Sequence, residues 1–286
     1  MTQPVSIENA LRAAVARLES VSDSPRLDAE LLLCRAIGLP RSYLFAHPED
    51  TLDEAALERL DATLRRRESG EPMAYISGTR EFWSLELMVT PDTLVPRPET
   101  EILVDLALRE IPRKAEWRVL DLGTGSGAIA IAIATERPFS RVTAVDLSKD
   151  ALAVASQNAR QHDLDNVEFI EGSWTGPVEG RRFDLIAANP PYVAEGDPFL
   201  DSLRAEPELA LVGGRDGLDA IRAIAHDCTS IMADGAMLLV EHGSEQEAAV
   251  AVIFADAGLV DIRCHKDYAL LPRVTVARKP TKKETS

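Results

Sequence analysis

Residues 183–193 read FDLIAANPPYV, an apolar run that closes on Asn189-Pro190-Pro191-Tyr192. Two adjacent prolines cannot continue a helix and give no N–H to a sheet ladder, so regular structure stops at Asn189. Asn189 and Pro190 each precede a proline and are therefore pushed toward extended backbone. That conformation projects the Asn189 side-chain oxygen and the Pro190 carbonyl from a strand end as fixed acceptors. Two acceptors beside an aromatic face suit a planar NH₂ group: the acceptors take its two protons, and Tyr192 stacks on its plane. Amide nitrogen is a poor nucleophile because its lone pair is delocalised. Holding both protons directs the lone pair toward an electrophile and stabilises positive charge developing on nitrogen. A sulfonium methyl is such an electrophile.

A second cluster is VLDLGTGSGAIA, residues 119–130, with Gly123, Thr124, Gly125, Ser126 and Gly127 between an apolar run and a small-residue segment. Glycine permits a tight turn and close approach of backbone to ligand, and the following helix start offers unpaired N–H groups. Asp146 closes the next apolar run, where a carboxylate can accept hydrogen bonds from both hydroxyls of a ribose. Gly123-x-Gly125-x-x-Ala128 also satisfies the dinucleotide pattern. The loop alone therefore predicts a nucleoside cofactor without choosing between NAD and S-adenosylmethionine; the amide-binding turn favours the latter.

These clusters require a strand–helix alternation to bring them together. Candidate strands are 118–123, 141–147, 166–172, 183–188, 236–242, 259–265 and 274–278, with helices over 99–110, 127–136, 149–162, 217–232 and 244–257. Alternation of this kind predicts a Rossmann-like α/β domain with a mainly parallel sheet covered on both faces. AIAIAIA (128–134) alternates like a strand, but its small residues directly follow the glycine turn, so it reads as a helix packed tightly on the sheet. In such sheets ligands bind at the carboxyl ends of strands near the switch in strand order, which is where the glycine loop and Asn189 would meet.

Upstream, residues 1–74 read as a small helical bundle. Ser24-Pro25 marks a helix start with proline at the first helical position, Gly38 can end that helix, and Thr51-x-x-Glu54 has the form of a capping box. Arg65-Arg66-Arg67 falls near a helix C-terminus, where cations suit the dipole. Residues 75–98 read as a hairpin linker, with Leu85, Leu87 and Val89 alternating and Pro91-Asp92 as its turn. The catalytic domain spans 99–279, and 280–286 reads as a disordered tail.

Together these segments resemble the class I S-adenosylmethionine-dependent methyltransferases. PMAYISGTREFWSLELMVTPDTLVPRPETE (72–101), the preceding helices, NPPY and LVEHG resemble specifically the release-factor glutamine N5-methyltransferases. The resemblance runs from about residue 10 to 278, and PRPETE beside NPPY distinguishes this group from nucleic-acid adenine methyltransferases, which share NPPY alone. It implies methyl transfer from S-adenosylmethionine to the glutamine of the Gly-Gly-Gln motif of peptide chain release factors. It further implies that Gly123–Gly127, Asp146 and Trp174 hold the cofactor, with Asn189 close by. Asn189, Pro190, Pro191 and Tyr192 would hold the substrate amide, and Arg97 and Glu99 would lie at the site entrance. Two places depart from the family: Ser173 stands where many relatives carry Asp, and DYALLPR (267–273) lacks a glycine common there.

Composition narrows the field. The net charge is −16, which argues against a broad phosphate-binding surface and favours a basic protein partner. No apolar run approaches a membrane span, and MTQPVSIENA lacks the profile of a signal peptide, so the chain reads as cytoplasmic. The three cysteines, Cys34, Cys228 and Cys264, form no zinc pattern, and no metal is expected. His242 could be read as a base, but a methylated amide loses its proton easily, so it reads as structural. The rival readings are a glutamine methyltransferase acting on a ribosomal protein, an amino-methyltransferase acting on nucleic acid, and a nucleotide-binding or NAD protein without methyl transfer.

Overall fold

The computed structural model describes residues 5–281, which divide into two compact units at Gly78/Thr79. The tail expected at 280–286 lies largely outside the described residues.

The first unit is helical: α1 (Ile7–Leu18), α2 (Pro25–Ile37), α3 (Arg41–Ala46), α4 (Glu54–Glu68) and α5 (Met73–Ser77). Ile7, Leu11 and Leu18 from α1, Leu32 and Leu33 from α2, Leu60 and Leu64 from α4, and Ile76 from α5 form its core. Two expected caps are corrected. Asp53, not Thr51, caps α4, its carboxylate accepting from Ala56 N at 2.6 Å. Asp53 stands one residue before the helix, where its short side chain reaches the free N–H of the third helical residue; Thr51 is too far upstream. Ser24 holds the N-cap position of α2 but makes no side-chain cap, whereas Pro25 and the left-handed Gly38 act as expected. The arginines of the run 65–67 in α4 each find a carboxylate: Arg65 pairs with Asp61, Arg66 with Glu71 and Arg67 with Asp28.

The second unit opens on a hairpin, β1 (Thr79–Phe82) and β2 (Leu85–Met88). Its turn is Trp83-Ser84, not the expected Pro91-Asp92. Both turn residues have positive φ (53° and 59°), the requirement of a two-residue turn whose twist matches the strands. Without glycine or asparagine there, the sequence hides that turn, and the bonds of Glu101 and Glu136 to the Trp83 backbone and indole N–H hold it. Residues 75–77, expected in the hairpin, belong to α5, so the linker begins at 79.

The rest alternates as predicted: α6 (Thr100–Glu110), β3 (Arg118–Leu122), α7 (Ala128–Glu136), β4 (Arg141–Asp146), α8 (Lys149–Gln161), β5 (Val167–Glu171), β6 (Phe183–Ala188), α9 (Asp219–Ile231), β7 (Met232–Glu241), α10 (Glu247–Asp256), β8 (Val260–Lys266) and β9 (Pro272–Arg278). The sheet order is β5-β4-β3-β6-β7-β9-β8, with β3 to β7 parallel and β9 antiparallel to both neighbours. Alternate residues of β3 face opposite cores. Val119 packs with α6 and α7, while Leu120 and Leu122 pack with α9 and α10. AIAIAIA is the helix α7, its residues buried all round between sheet and neighbours. No described helix is long and apolar enough to cross a membrane. The order reverses between β3, which leads to β4 on one side, and β6 on the other, and a ligand crevice belongs at the carboxyl ends of those strands.

Candidate active site

A cavity of about 550 Å³ occupies that place, a size suited to a nucleoside cofactor. Its wall includes Gly123, Thr124, Gly125 and Ser126 after β3, Asp146 after β4, Ser173 and Trp174 after β5, and Asn189 and Pro191 after β6. Arg97 and Thr100, from the PRPETE segment, also line it. Thus four strand ends and the start of α6 converge, and most of the residues predicted from sequence are brought together. Gly127, Glu99, Pro190 and Tyr192 are not on the wall.

The glycine loop is held from both sides. Asp146 Oδ2 accepts from Gly125 N at 2.8 Å, and its Oδ1 accepts from Ser148 N at 2.9 Å. The carboxylate that sequence assigns to a ribose therefore also shapes the loop. Gly123 and Gly125 have φ of 73° and 55°, the left-handed region that glycine enters without penalty. Gly127 caps α7 with φ 86°, and a Cβ there would sit 2.8 Å from Ile131 Cδ1 and 3.1 Å from Ala155 Cβ. It serves the close packing of α7 against α8. The Trp174 ring lies 3.5 Å from the position of a Gly123 Cβ, so the indole rests on the glycine turn.

The sequence reading does not find Asp121 and Asn158. Asp121 is fully buried beneath the loop; its Oδ2 accepts from the Thr124 hydroxyl (2.6 Å) and Ala130 N (3.1 Å), and Oδ1 meets no partner among the described residues. Burial pushes its carboxyl up to about 7, opposed by those two bonds. Ser126 Oγ is likewise buried and unpartnered among the described residues. Two orphaned polar atoms beside a glycine cradle fit a polar cofactor whose amino or carboxylate group would satisfy them. Asn158, on α8, ties the loop to the hairpin segment: its amide donates to Met88 O and Ser126 O (both 2.9 Å) and accepts from Met88 N (2.7 Å).

The Arg97 guanidinium donates to the buried Glu206 at 2.5 Å, while the other oxygen of Glu206 accepts from Val95 N at 3.0 Å. An Arg97–Glu99 pair is not formed. The LVGG segment (211–214) braces the turn: Val193 N donates to Leu211 O and Gly213 N to Val193 O, both at 2.9 Å. At Gly217 a Cβ would lie 2.2 Å from Tyr192 O, so only glycine fits against the turn.

Asn189 Nδ2 donates to the Thr100 hydroxyl at 3.1 Å. Thr100 Oγ1 donates to Glu241 Oε2 at 2.7 Å, and the Tyr192 hydroxyl to Glu241 Oε1 at 3.3 Å. The Tyr192 side chain is thus tethered toward β7 by its hydroxyl. Burial, and Glu241 beside it, raise its phenol out of any working range, so it stays neutral. Glu241 is itself buried, which pushes its carboxyl up to about 7 against the bonds from Thr100 and Tyr192 and the charge of Arg273. His242 is structural: its ring nitrogens lie 2.8 Å from Gly243 O and from Thr275 Oγ1. No cluster able to hold a metal occurs among the described residues.

A doubly covered sheet with a glycine cradle, an acid after the second parallel strand and an Asn-Pro-Pro-Tyr turn across the switch defines a class I methyltransferase. Residues 100–204 match the methyltransferase small domain family, and residues 9–78 match the PrmC N-terminal domain. The chain is 47% identical to the release factor glutamine methyltransferase of Vibrio cholerae, over 98% of this chain and 99% of that protein. It is 43% identical to the protein of that name from Escherichia coli, over 94% and 97%. The chain belongs to the release factor glutamine methyltransferase family. In fold it is similar to a methyltransferase from Pyrococcus furiosus (TM-score 0.52, 16% identity, 68% of this chain and 89% of that one).

Proposed function

We propose that this protein transfers a methyl group from S-adenosylmethionine to the side-chain amide nitrogen of the glutamine in the Gly-Gly-Gln motif of peptide chain release factors, a modification of the translation termination machinery. The observation that carries this reading is the polarity of Asn189: its NH₂ is spent on Thr100, which leaves Oδ1 as an acceptor at a cofactor-sized cavity. Family membership supports the choice of release factor.

Gly123, Thr124, Gly125, Ser126, Asp146 and Trp174 would hold the cofactor, with Asp121 behind them. S-adenosylmethionine, when bound, supplies an electrophilic methyl group. Asn189 Oδ1 and the Pro190 carbonyl accept the two protons of the substrate NH₂. They orient its lone pair and stabilise the positive charge that develops on nitrogen. Pro191 and Tyr192 shape the turn that carries these acceptors. Arg97, fixed by Glu206, stands on the wall where a polar group of the substrate backbone can meet it. No strong base is needed, because transfer of the methyl to the neutral amide leaves a cationic N-protonated amide, a strong acid that gives its proton to water and becomes the neutral N-methylamide. The helical unit would dock the release factor, and the −16 charge supports a basic protein surface over nucleic acid as its partner.

Transfer of labelled methyl from S-adenosylmethionine to purified release factor, with bulk RNA and DNA as parallel acceptors, tests this. Label in release factor alone is expected. Label in nucleic acid alone would defeat the assignment.

A further inference from the structure

We infer that Glu241 is a positioning residue: acting through the Thr100 hydroxyl, it sets which end of the Asn189 amide faces the cavity. This rests on the reading of Asn189 as the amide acceptor.

A hydroxyl carries one hydrogen. Thr100 spends it on Glu241 Oε2 at 2.7 Å, so only lone pairs face Asn189. At 3.1 Å the group that can meet those lone pairs is the Asn189 NH₂. An oxygen there would face an oxygen with no proton between them. The orientation of an amide, ordinarily ambiguous between O and N, is here dictated by a carboxylate two bonds of the chain away. Tyr192 donates to the other oxygen of the same carboxylate, so Glu241 orders both polar side chains of the turn. Glu241 does not line the cavity; its effect passes through Thr100.

The chain of donors has a direction, and one proton reverses it. A proton on Glu241 Oε2 makes that oxygen the donor to Thr100. The Thr100 hydrogen then turns toward Asn189 and requires Oδ1 as its acceptor. The Asn189 NH₂ is driven into the cavity, a donor where the substrate N–H needs an acceptor. One O–H bond forms, on Glu241 Oε2, with the proton taken up from solvent as pH falls; no other covalent bond changes, and two hydrogen bonds change polarity.

The surroundings put this reversal within reach of ordinary pH. Burial lifts the Glu241 carboxyl to about 7, and Glu99 at the start of α6 adds to the lift. Arg273 on β9 opposes it, itself paired with Asp267. Tyr192, from the turn after β6, stays neutral; Arg97 faces Tyr192 from the PRPETE segment. His242, just after the end of β7, is held neutral by burial and turns to Thr275.

The test is single-turnover methyl transfer to purified release factor at saturating S-adenosylmethionine, followed across the neutral range. Wild type should lose rate as pH falls, with a midpoint near 7. Thr100→Val, which keeps shape but breaks the chain, should slow transfer by about tenfold or more, in the range of a lost preorganised contact. It should leave cofactor affinity unchanged and lack the acid limb. Thr100→Ser should recover the rate to within about threefold and regain the limb. Glu241→Gln, which cannot titrate, should also lack it. A measurement on wild type needs no variant to fold: the side-chain amide ¹⁵N resonance of Asn189, assigned by its loss in Asn189→Ala, should shift with the same midpoint. A Thr100→Val enzyme at wild-type rate, beside an inactive Asn189→Ala, would overturn the positioning role. An acid limb that persists in Thr100→Val, or an Asn189 resonance flat across pH 7, would overturn it as well. If Asn189→Ala is also fully active, the reading of the turn itself fails.

Discussion

Gly125 and Gly127 stand two residues apart in one loop, yet alanine at each should fail differently. Both have left-handed backbone, φ 55° and 86°, so a Cβ costs about 1–2 kcal/mol at either position. At Gly125 a Cβ would meet nothing within 4 Å, and the residue lines the cavity. The methyl would enter the cavity proposed to hold the cofactor. At Gly127 the Cβ would fall 2.8 Å from Ile131 Cδ1 and 3.1 Å from Ala155 Cβ. Ile131 and Ala155 are packed in the core and cannot recede freely. Overpacking of that kind adds about 1–3 kcal/mol, for a total near 2–5 kcal/mol. Each kcal/mol lowers Tm by about 2–4 °C in a unit of this size. Gly127→Ala should therefore melt several degrees below Gly125→Ala while its folded fraction binds cofactor better. Calorimetric titration with S-adenosylmethionine and scanning calorimetry on the same samples decide. A Gly125→Ala variant that melts as early as Gly127→Ala, or a Gly127→Ala variant with normal melting and weaker binding, would refute the division of labour.

Asp146→Ala removes the acceptor for Gly125 N and Ser148 N as well as the proposed ribose contacts, charge-assisted bonds of about 1.5–3 kcal/mol each. Affinity for S-adenosylmethionine should fall at least about tenfold in calorimetry; unchanged affinity with an intact fold would defeat the assignment. Asp121 has its carboxyl raised to about 7 by burial, so the folded state holds a proton that the unfolded state has released over the interval from about 4 to 7. Asp121 should accordingly make the unfolding free energy decline with rising pH there, by up to about 1.4 kcal/mol per pH unit; Glu241, also raised to about 7, adds a similar slope, and Asp121→Asn should remove the Asp121 share in urea titrations. Deleting residues 1–78 should leave cofactor binding largely intact and slow methylation of folded release factor; a truncated, folded protein as fast as the full chain would remove the docking role.

The features legible in the sequence were those with local periodicity or fixed backbone demands. Strand–helix alternation, the glycine spacing and the double proline each constrain residues within a few positions of one another, and all fell in place. AIAIAIA was ambiguous because a helix buried on every side shows no amphipathic period. The hairpin turn was missed because Trp83-Ser84 carries no turn chemistry, and the left-handed backbone is sustained by acids well along the chain. The polar partners were missed for a related reason. Glu206 meets Arg97 across 109 positions, and Glu241 meets Thr100 across 141. Nothing near Thr100 signals that a carboxylate on β7 will claim its hydrogen. The sequence points to the ring of Tyr192, whereas its hydroxyl, tied to the same carboxylate, governs where the side chain goes. Gly127 was grouped with its neighbours by motif, and only the packing against Ala155 separates it from them.

In the proposed mechanism Asn189 activates a glutamine amide for methylation. Release factor should be incubated with the enzyme and S-adenosylmethionine, digested, and the peptide carrying Gly-Gly-Gln sequenced by fragmentation mass spectrometry. One added methyl on the glutamine side-chain nitrogen is expected with the wild-type enzyme, and a loss of a hundredfold or more in its rate of formation with Asn189→Ala, the scale of a lost transition-state contact worth about 2.7–4 kcal/mol. A methyl on any other residue, or near-normal glutamine methylation by Asn189→Ala, would contradict it.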